Sequence, residues 1–326
     1  MIERTAAASR PQTSEIDRER DAPPVPTKPK ARDAFESAVL GAVADRRADE
    51  SLRMFAANTG ASAAPPNRRN DVLYIGMNMD ASGTGKPQSE SESAALLKMT
   101  SGHAQRIERP VTTIVENGGV KFDTSTEAGC EAFAKSLGLP SKQADLVATA
   151  LTTNFEGRGR TELALLAKSW SDGEHGGTLP GRLVLSGHCY LGGVYDGLNA
   201  RDFLNFASLQ TLARAMPKAA GQVEDVMFSA CASGKGEDIQ GWRDAFPNMK
   251  SLWAYGGPDT HSPSGNQAIE HIRVWEQATR SDHVPLAKDQ ATPATQDAAT
   301  AARIHALPMH DHISIWTATG SYRNAM

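Results

Sequence analysis

Two short stretches carry side chains able to do covalent chemistry together. One runs Leu183-Val184-Leu185-Ser186-Gly187-His188-Cys189, the other Met227-Phe228-Ser229-Ala230-Cys231-Ala232-Ser233-Gly234. A neutral thiol is a poor nucleophile, but a nearby imidazole takes its proton or stabilises the thiolate as imidazolium, and such a pair suits acyl transfer. Cys231 closes an apolar run and gives way to small residues, so free backbone N–H groups beside its sulfur would stabilise negative charge there and on a tetrahedral oxyanion. Ala232, Ser233 and Gly234 let a substrate backbone come close, and Gly192 and Gly193 meet the same need beyond His188.

These residues meet only if the runs before them are neighbouring strands that end at the same level. Adjacent strands lie about 4.8 Å apart, and in an open parallel sheet functional groups collect beyond the carboxyl ends. The pattern of the chain supports this arrangement. Asp71–Met77, Val111–Val115, Arg182–Ser186, Asp225–Ser229 and Ser251–Tyr255 read as strands, and His312–Thr317 as a sixth. Glu90–Lys98, Glu127–Leu137, Lys142–Thr152, Thr161–Trp170, Asp202–Met216, Glu237–Phe246 and Gly265–Thr279 read as helices. Strands that are apolar throughout and separated by helices predict an α/β sandwich with a largely parallel central sheet of about six strands. No internal repeat is visible.

Composition narrows the function classes. The 326 residues are 40% hydrophobic and 22% charged with a formal net charge of −4, which lacks the basic excess that nucleic-acid binding draws on. No stretch approaches the roughly 20 apolar residues of a membrane-spanning helix, and the mean hydropathy is −0.42. The first residues have no apolar core behind their charges and do not read as a secretory signal. Three cysteines, Cys130, Cys189 and Cys231, make no full disulfide framework and read as thiols of a reducing, cytoplasmic compartment. Residues 1–70 are rich in proline, alanine and interspersed charge, and read as a disordered arm. A short amphipathic helix is expected there around Phe35, Val39 and Val43. Residues 71–280 form the expected main domain, and 281–326 a linker with a last strand.

A small-Gly-His ending one strand and Ser-Ala-Cys-x-Ser-Gly ending the next resemble the caspase-like cysteine peptidases. Ser229-Ala230-Cys231-Ala232-Ser233-Gly234 is most similar to the bacterial CHAT branch. The resemblance covers roughly residues 71–280 and implies a cysteine endopeptidase with His188 as general base and Cys231 as nucleophile. It implies backbone N–H groups of Cys189 and Cys231 as oxyanion donors, and a protein or peptide substrate. No metal and no organic cofactor are implied. Most family members follow the histidine with glycine, so Cys189 must point its side chain away from substrate.

Asp80, Ser229 and Gly187 are the candidate substrate-binding residues, with Asp80 an acid that would favour Arg or Lys before the scissile bond. Basic specificity makes Arg69 and Arg160, in Arg68-Arg69 and Gly157-Arg158-Gly159-Arg160, expected sites of self-processing in exposed, flexible chain. The arm is a candidate site for a regulatory protein partner. Cys130, inside a helix, reads as structural. Residues 80–86 glance at a phosphate loop but place Asp80 where the first glycine belongs, and His305, His310 and His312 read as a solvated tail. Two alternatives stand beside the peptidase: a catalytically inactive interaction module of the same fold, and a delivered bacterial effector without a signal peptide.

Overall fold

Val72-Leu73-Tyr74-Ile75, Leu183-Val184-Leu185, Val226-Met227-Phe228 and Leu252-Trp253-Ala254 are apolar at successive positions, as strands covered on both faces must be. A computed structural model describes residues 68–79, 86–107, 110–154, 157–189, 192–197, 202–231, 233, 239–255, 266–280, 313–316 and 321–323. The arm before residue 68 with its expected helix, Asp80 and the stretch to residue 85, and His305, His310 and His312 lie outside these residues.

The strands are β1 (Arg68–Gly76), β2 (Ala104–Ile107), β3 (Ile114–Asn117), β4 (Val120–Asp123), β5 (Pro180–Ser186), β6 (His188–Cys189), β7 (Gly193–Tyr195), β8 (Phe203–Asn205), β9 (Asp225–Ser229), β10 (Ser251–Tyr255), β11 (Ile313–Trp316) and β12 (Ser321–Arg323). The helices are α1 (Gln88–Met99), α2 (Glu127–Ser136), α3 (Ser141–Thr153), α4 (Arg158–Glu174), α5 (Phe206–Ala215), α6 (Pro217–Ala220), α7 (Ile239–Ala245) and α8 (Asn266–Thr279). The central sheet runs β12-β11-β10-β9-β5-β1-β2. Its pairings from β2 through β10 are parallel, and β11 and β12 add antiparallel. The expected α/β architecture with a mostly parallel sheet is therefore the observed one.

Strand alternation sorts the core into two layers. Leu73, Ile75, Leu183, Leu185, Val226 and Phe228 pack with Phe133, Leu151, Leu163, Trp170, Leu209 and Trp242 from α2, α3, α4, α5 and α7. The intervening residues Val72, Tyr74, Val184, Met227, Trp253 and Tyr255 pack with Leu96 of α1 and with Ile272 and Trp275 of α8. Helix ends follow local chemistry: Thr126 caps α2 by accepting from Gly129 N at 3.0 Å, and Asn205 caps α5 by accepting from Ala207 N at 2.8 Å.

One expected strand is corrected. Residues 111–113 are irregular, with Val111 91% exposed, and 114–117 pair with β4 in a hairpin outside the sheet. Gly118 and Gly119, at φ 56° and 79°, supply the tight turn. The second strand of the sheet is Ala104–Ile107, paired to β1 from Val72↔Ala104 to Ile75↔Ile107. As the end strand among the described residues it needs no continuous apolar run, and its sequence, AQRI, has none. Among the described residues no helix is long and apolar enough to cross a membrane.

Candidate active site

β5 and β9 are hydrogen-bonded parallel neighbours, in register from Arg182↔Asp225 to Ser186↔Ser229. Gly187 N donates to Ser229 O at 3.2 Å, extending the ladder one step past β5. His188 follows Ser186 by two residues and Cys231 follows Ser229 by two, so both residues lie the same number of positions past the last paired rung of adjacent strands. Both residues are half-buried, neither sealed in the core nor fully exposed.

Each strand end is secured by its own contacts. After β9 the chain turns tightly: Ser233 N donates to Ala230 O at 3.4 Å, Ser233 Oγ donates to Phe228 O at 3.3 Å, and the same oxygen accepts from Tyr255 N at 3.3 Å. Cys231 sits inside that turn. After β5, Gly187 passes close to β7: a Cβ there would stand 3.0 Å from Tyr195 O and 3.4 Å from Met77 Cβ. His188 then enters a small antiparallel sheet, β6-β7-β8, opposite Tyr195, with Cys189 opposite Val194.

Period-two alternation gives this ribbon two different faces. On one, the His188 ring lies 5.4 Å from Tyr195 and the Tyr195 ring 6.5 Å from Phe203, an aromatic row that limits the imidazole's freedom. On the other, Val194 and Leu204 belong to the main core and Cys189 packs against it. The Cys189 side chain therefore turns inward. Tyr195, and the buried Asp196 whose carbonyl accepts from Met79 N at 3.2 Å, are neighbours that the sequence did not single out. Gly192-Gly193 followed by Val-Tyr was the available signal of a short turn and strand.

The other candidates fall in varied places. Gly187 is buried, and Ser229 is buried with its Oγ lacking a hydrogen-bond partner among the described residues. Asp80 lies outside the described residues. Arg69 and Arg160 are corrected as exposed, flexible processing points. Arg69 is in β1 with its guanidinium paired to Glu224. Arg160 is buried in α4, where Nη1 and Nη2 donate to the carbonyls of Thr124, Ser125, Thr152 and Asn154 at 3.0–3.5 Å. A protease would have to unfold a strand or a helix to reach either bond.

None of the three cysteines is in a disulfide. Cys130 is fully buried, burial pushes its thiol above the ordinary range, and Sγ donates to Thr124 O at 3.3 Å, which makes it inert. Beneath the His188 strand end lies an unexpected acid, Glu92 of α1. It is 1% exposed and its carboxyl is raised, first by burial. It accepts from Tyr74 Oη at 2.8 Å, from Gln88 Nε2 at 2.9 Å and from Ser186 Oγ. Compared with protein-family models and with curated proteins, the sequence has no match.

Proposed function

We propose that this chain is a cysteine endopeptidase of the caspase-like kind, with His188 and Cys231 as its dyad. The observation that supports it most is the common offset from neighbouring strand ends: both residues follow the Ser186↔Ser229 pair by two positions and both stay half-buried past the carboxyl edge of the sheet. In this reading His188 takes the Cys231 proton as sulfur attacks a peptide carbonyl. The backbone N–H groups of Cys189 and Cys231 receive the oxyanion. The tetrahedral adduct collapses to a thioester as the imidazolium gives its proton to the departing amine, and water, deprotonated by His188, then hydrolyses the thioester to release acid and free thiol. The substrate is an extended peptide or protein segment. Basic specificity through Asp80, a regulatory partner on the arm and a cytoplasmic setting belong to the same proposal on sequence grounds.

The rival interaction-module reading drew on Cys189 in place of glycine. With its side chain packed on the core, that substitution weighs little against catalysis. A peptide-library cleavage screen tests the proposal. Wild type is expected to hydrolyse a defined set of peptides, and Cys231→Ala and His188→Ala to lose the activity by on the order of a thousandfold or more. Cleavage that persists in Cys231→Ala, or no cleavage by wild type of any peptide in the library, would overturn it.

A further inference from the structure

The last rung shared by β1, β5 and β9 is built of small residues, Gly76, Ser186 and Ser229, on the α1 and α8 face. Their size leaves room for a polar layer. The Tyr74 ring leans over Gly76, where an added Cβ would stand 2.5 Å from Tyr74 Cε1, and so brings its hydroxyl to Glu92. Glu92 thereby collects three neutral donors, one each from β1, β5 and its own helix, and among the described residues forms no ion pair. A buried carboxylate without a countercharge is costly, and leucine or glutamine there would be cheaper. That cost is sustained against Ser186, two residues before His188, and perturbed groups of this kind concentrate where they serve function.

We propose that Glu92 is a positioning residue for the dyad: through Ser186 Oγ it fixes the exit of β5, and with it the place where His188 meets Cys231. The inference rests on the dyad reading above. The two strand ends have separate anchors, since the Cys231 turn is held by Ser233 whereas the His188 exit is held by Glu92. The titratable groups facing this layer are Tyr74 of β1, raised by burial and by the charge of Glu92, and Tyr255 of β10, raised by burial and bonded to His271 of α8. Arg106 of β2 acts on Tyr74 in the opposite sense.

Site-resolved alkylation of the full chain by iodoacetamide, followed against pH by mass spectrometry, tests the proposal without needing a substrate. Glu92→Gln and Ser186→Ala are expected to slow Cys231 alkylation near neutral pH by about tenfold and to move its pH midpoint toward that of His188→Ala. Ser186→Thr, which keeps the hydroxyl, should retain the wild-type profile, and Cys130 should stay unreactive in every folded variant. Near-UV circular dichroism establishes folding, and if Glu92→Gln does not fold, Ser186→Ala decides. Wild-type kinetics in a folded Ser186→Ala would overturn the positioning role while leaving the dyad intact. Wild-type kinetics in His188→Ala would instead remove the dyad reading and this inference with it.

Discussion

One face of the central sheet is covered by α2, α3, α4, α5 and α7 and is apolar to its ends: Ile75, Leu185, Phe228 and Ala230 run to the carboxyl edge, and Trp170, Trp242 and Phe246 close over it. The opposite face, under α1 and α8, is apolar only in its middle. At the same carboxyl edge it carries Tyr74, Glu92, Ser186 and Ser229. Adjacent residues on one strand thus serve different ends, because alternation sends Phe228 into the large core and Ser229 into the polar layer. The difference teaches that the larger apolar core lies on one side, and that the groups beneath the candidate dyad sit where the other side gives up apolar packing.

The largest effect should come from breaking the apolar side. Trp170 of α4 is 1% exposed and stands edge-on to Phe246 at 6.1 Å. Trp170→Ala should cost about 3–5 kcal/mol, since the cavity left by an indole collapses only in part. Urea unfolding measures it, and the pH dependence of Cys231 alkylation in the folded fraction should not move. A cost below about 1 kcal/mol would erase the contrast between the faces.

What could be read in the sequence divides along similar lines. The central strands β9 and β10 stand where the apolar runs put them, residue for residue, because strands covered on both faces must be apolar on both. The carboxyl ends of β5 and β9, at Ser186 and Ser229, are legible for the same reason. β2 is not, because an edge strand is freed from that demand and AQRI looks like a loop. The pattern of Asp202–Met216 predicts one helix, yet 203–205 form β8 and Asn205 caps the helix that follows. Arg158-Gly159-Arg160 resembled an exposed linker, whereas Gly159 lets α4 approach β8 so closely that a Cβ would meet Phe203 O at 2.2 Å. Glu92 was hidden most deeply. It lies among Glu90, Ser91 and Ser93 in a polar stretch of helix, and its burial comes from partners on other elements, Tyr74 of β1 and Ser186 of β5, 94 residues away.

A smaller effect, of opposite sign, sharpens the comparison from the polar side. In the unfolded chain Glu92 titrates near its ordinary value, and burial raises it in the fold. Between those two values the native protein holds a proton that the unfolded chain has released. This group's contribution is therefore full in acid, below the ordinary value, and is lost as pH rises through the raised one. Glu92→Gln has no such loss. Its melting temperature relative to wild type should increase from pH 4 to pH 8, even as its Cys231 reacts more slowly. A Tm difference that is constant across that range would show that Glu92 carries no buried charge, and the two faces would then differ in polarity alone.

The smallest effect separates two serines that are register partners. Ser186 Oγ donates to Glu92, while Ser229 Oγ is also buried and has no partner among the described residues. Removing a bonded donor leaves a buried acceptor short, and that costs about 1.5–3 kcal/mol when the acceptor is a carboxylate. Removing an unsatisfied hydroxyl deletes a group that was already desolvated without compensation, so Ser229→Ala should be neutral or stabilising by up to about 1 kcal/mol. Chemical denaturation of both variants at neutral pH measures the pair. A peptide-hydrolysis assay adds the functional side: if an extended substrate reaches Ser229, its KM should rise in Ser229→Ala with stability unchanged. Equal destabilisation by the two substitutions would mean that Ser229 shares the Glu92 network, and that both strand ends hang from one carboxylate.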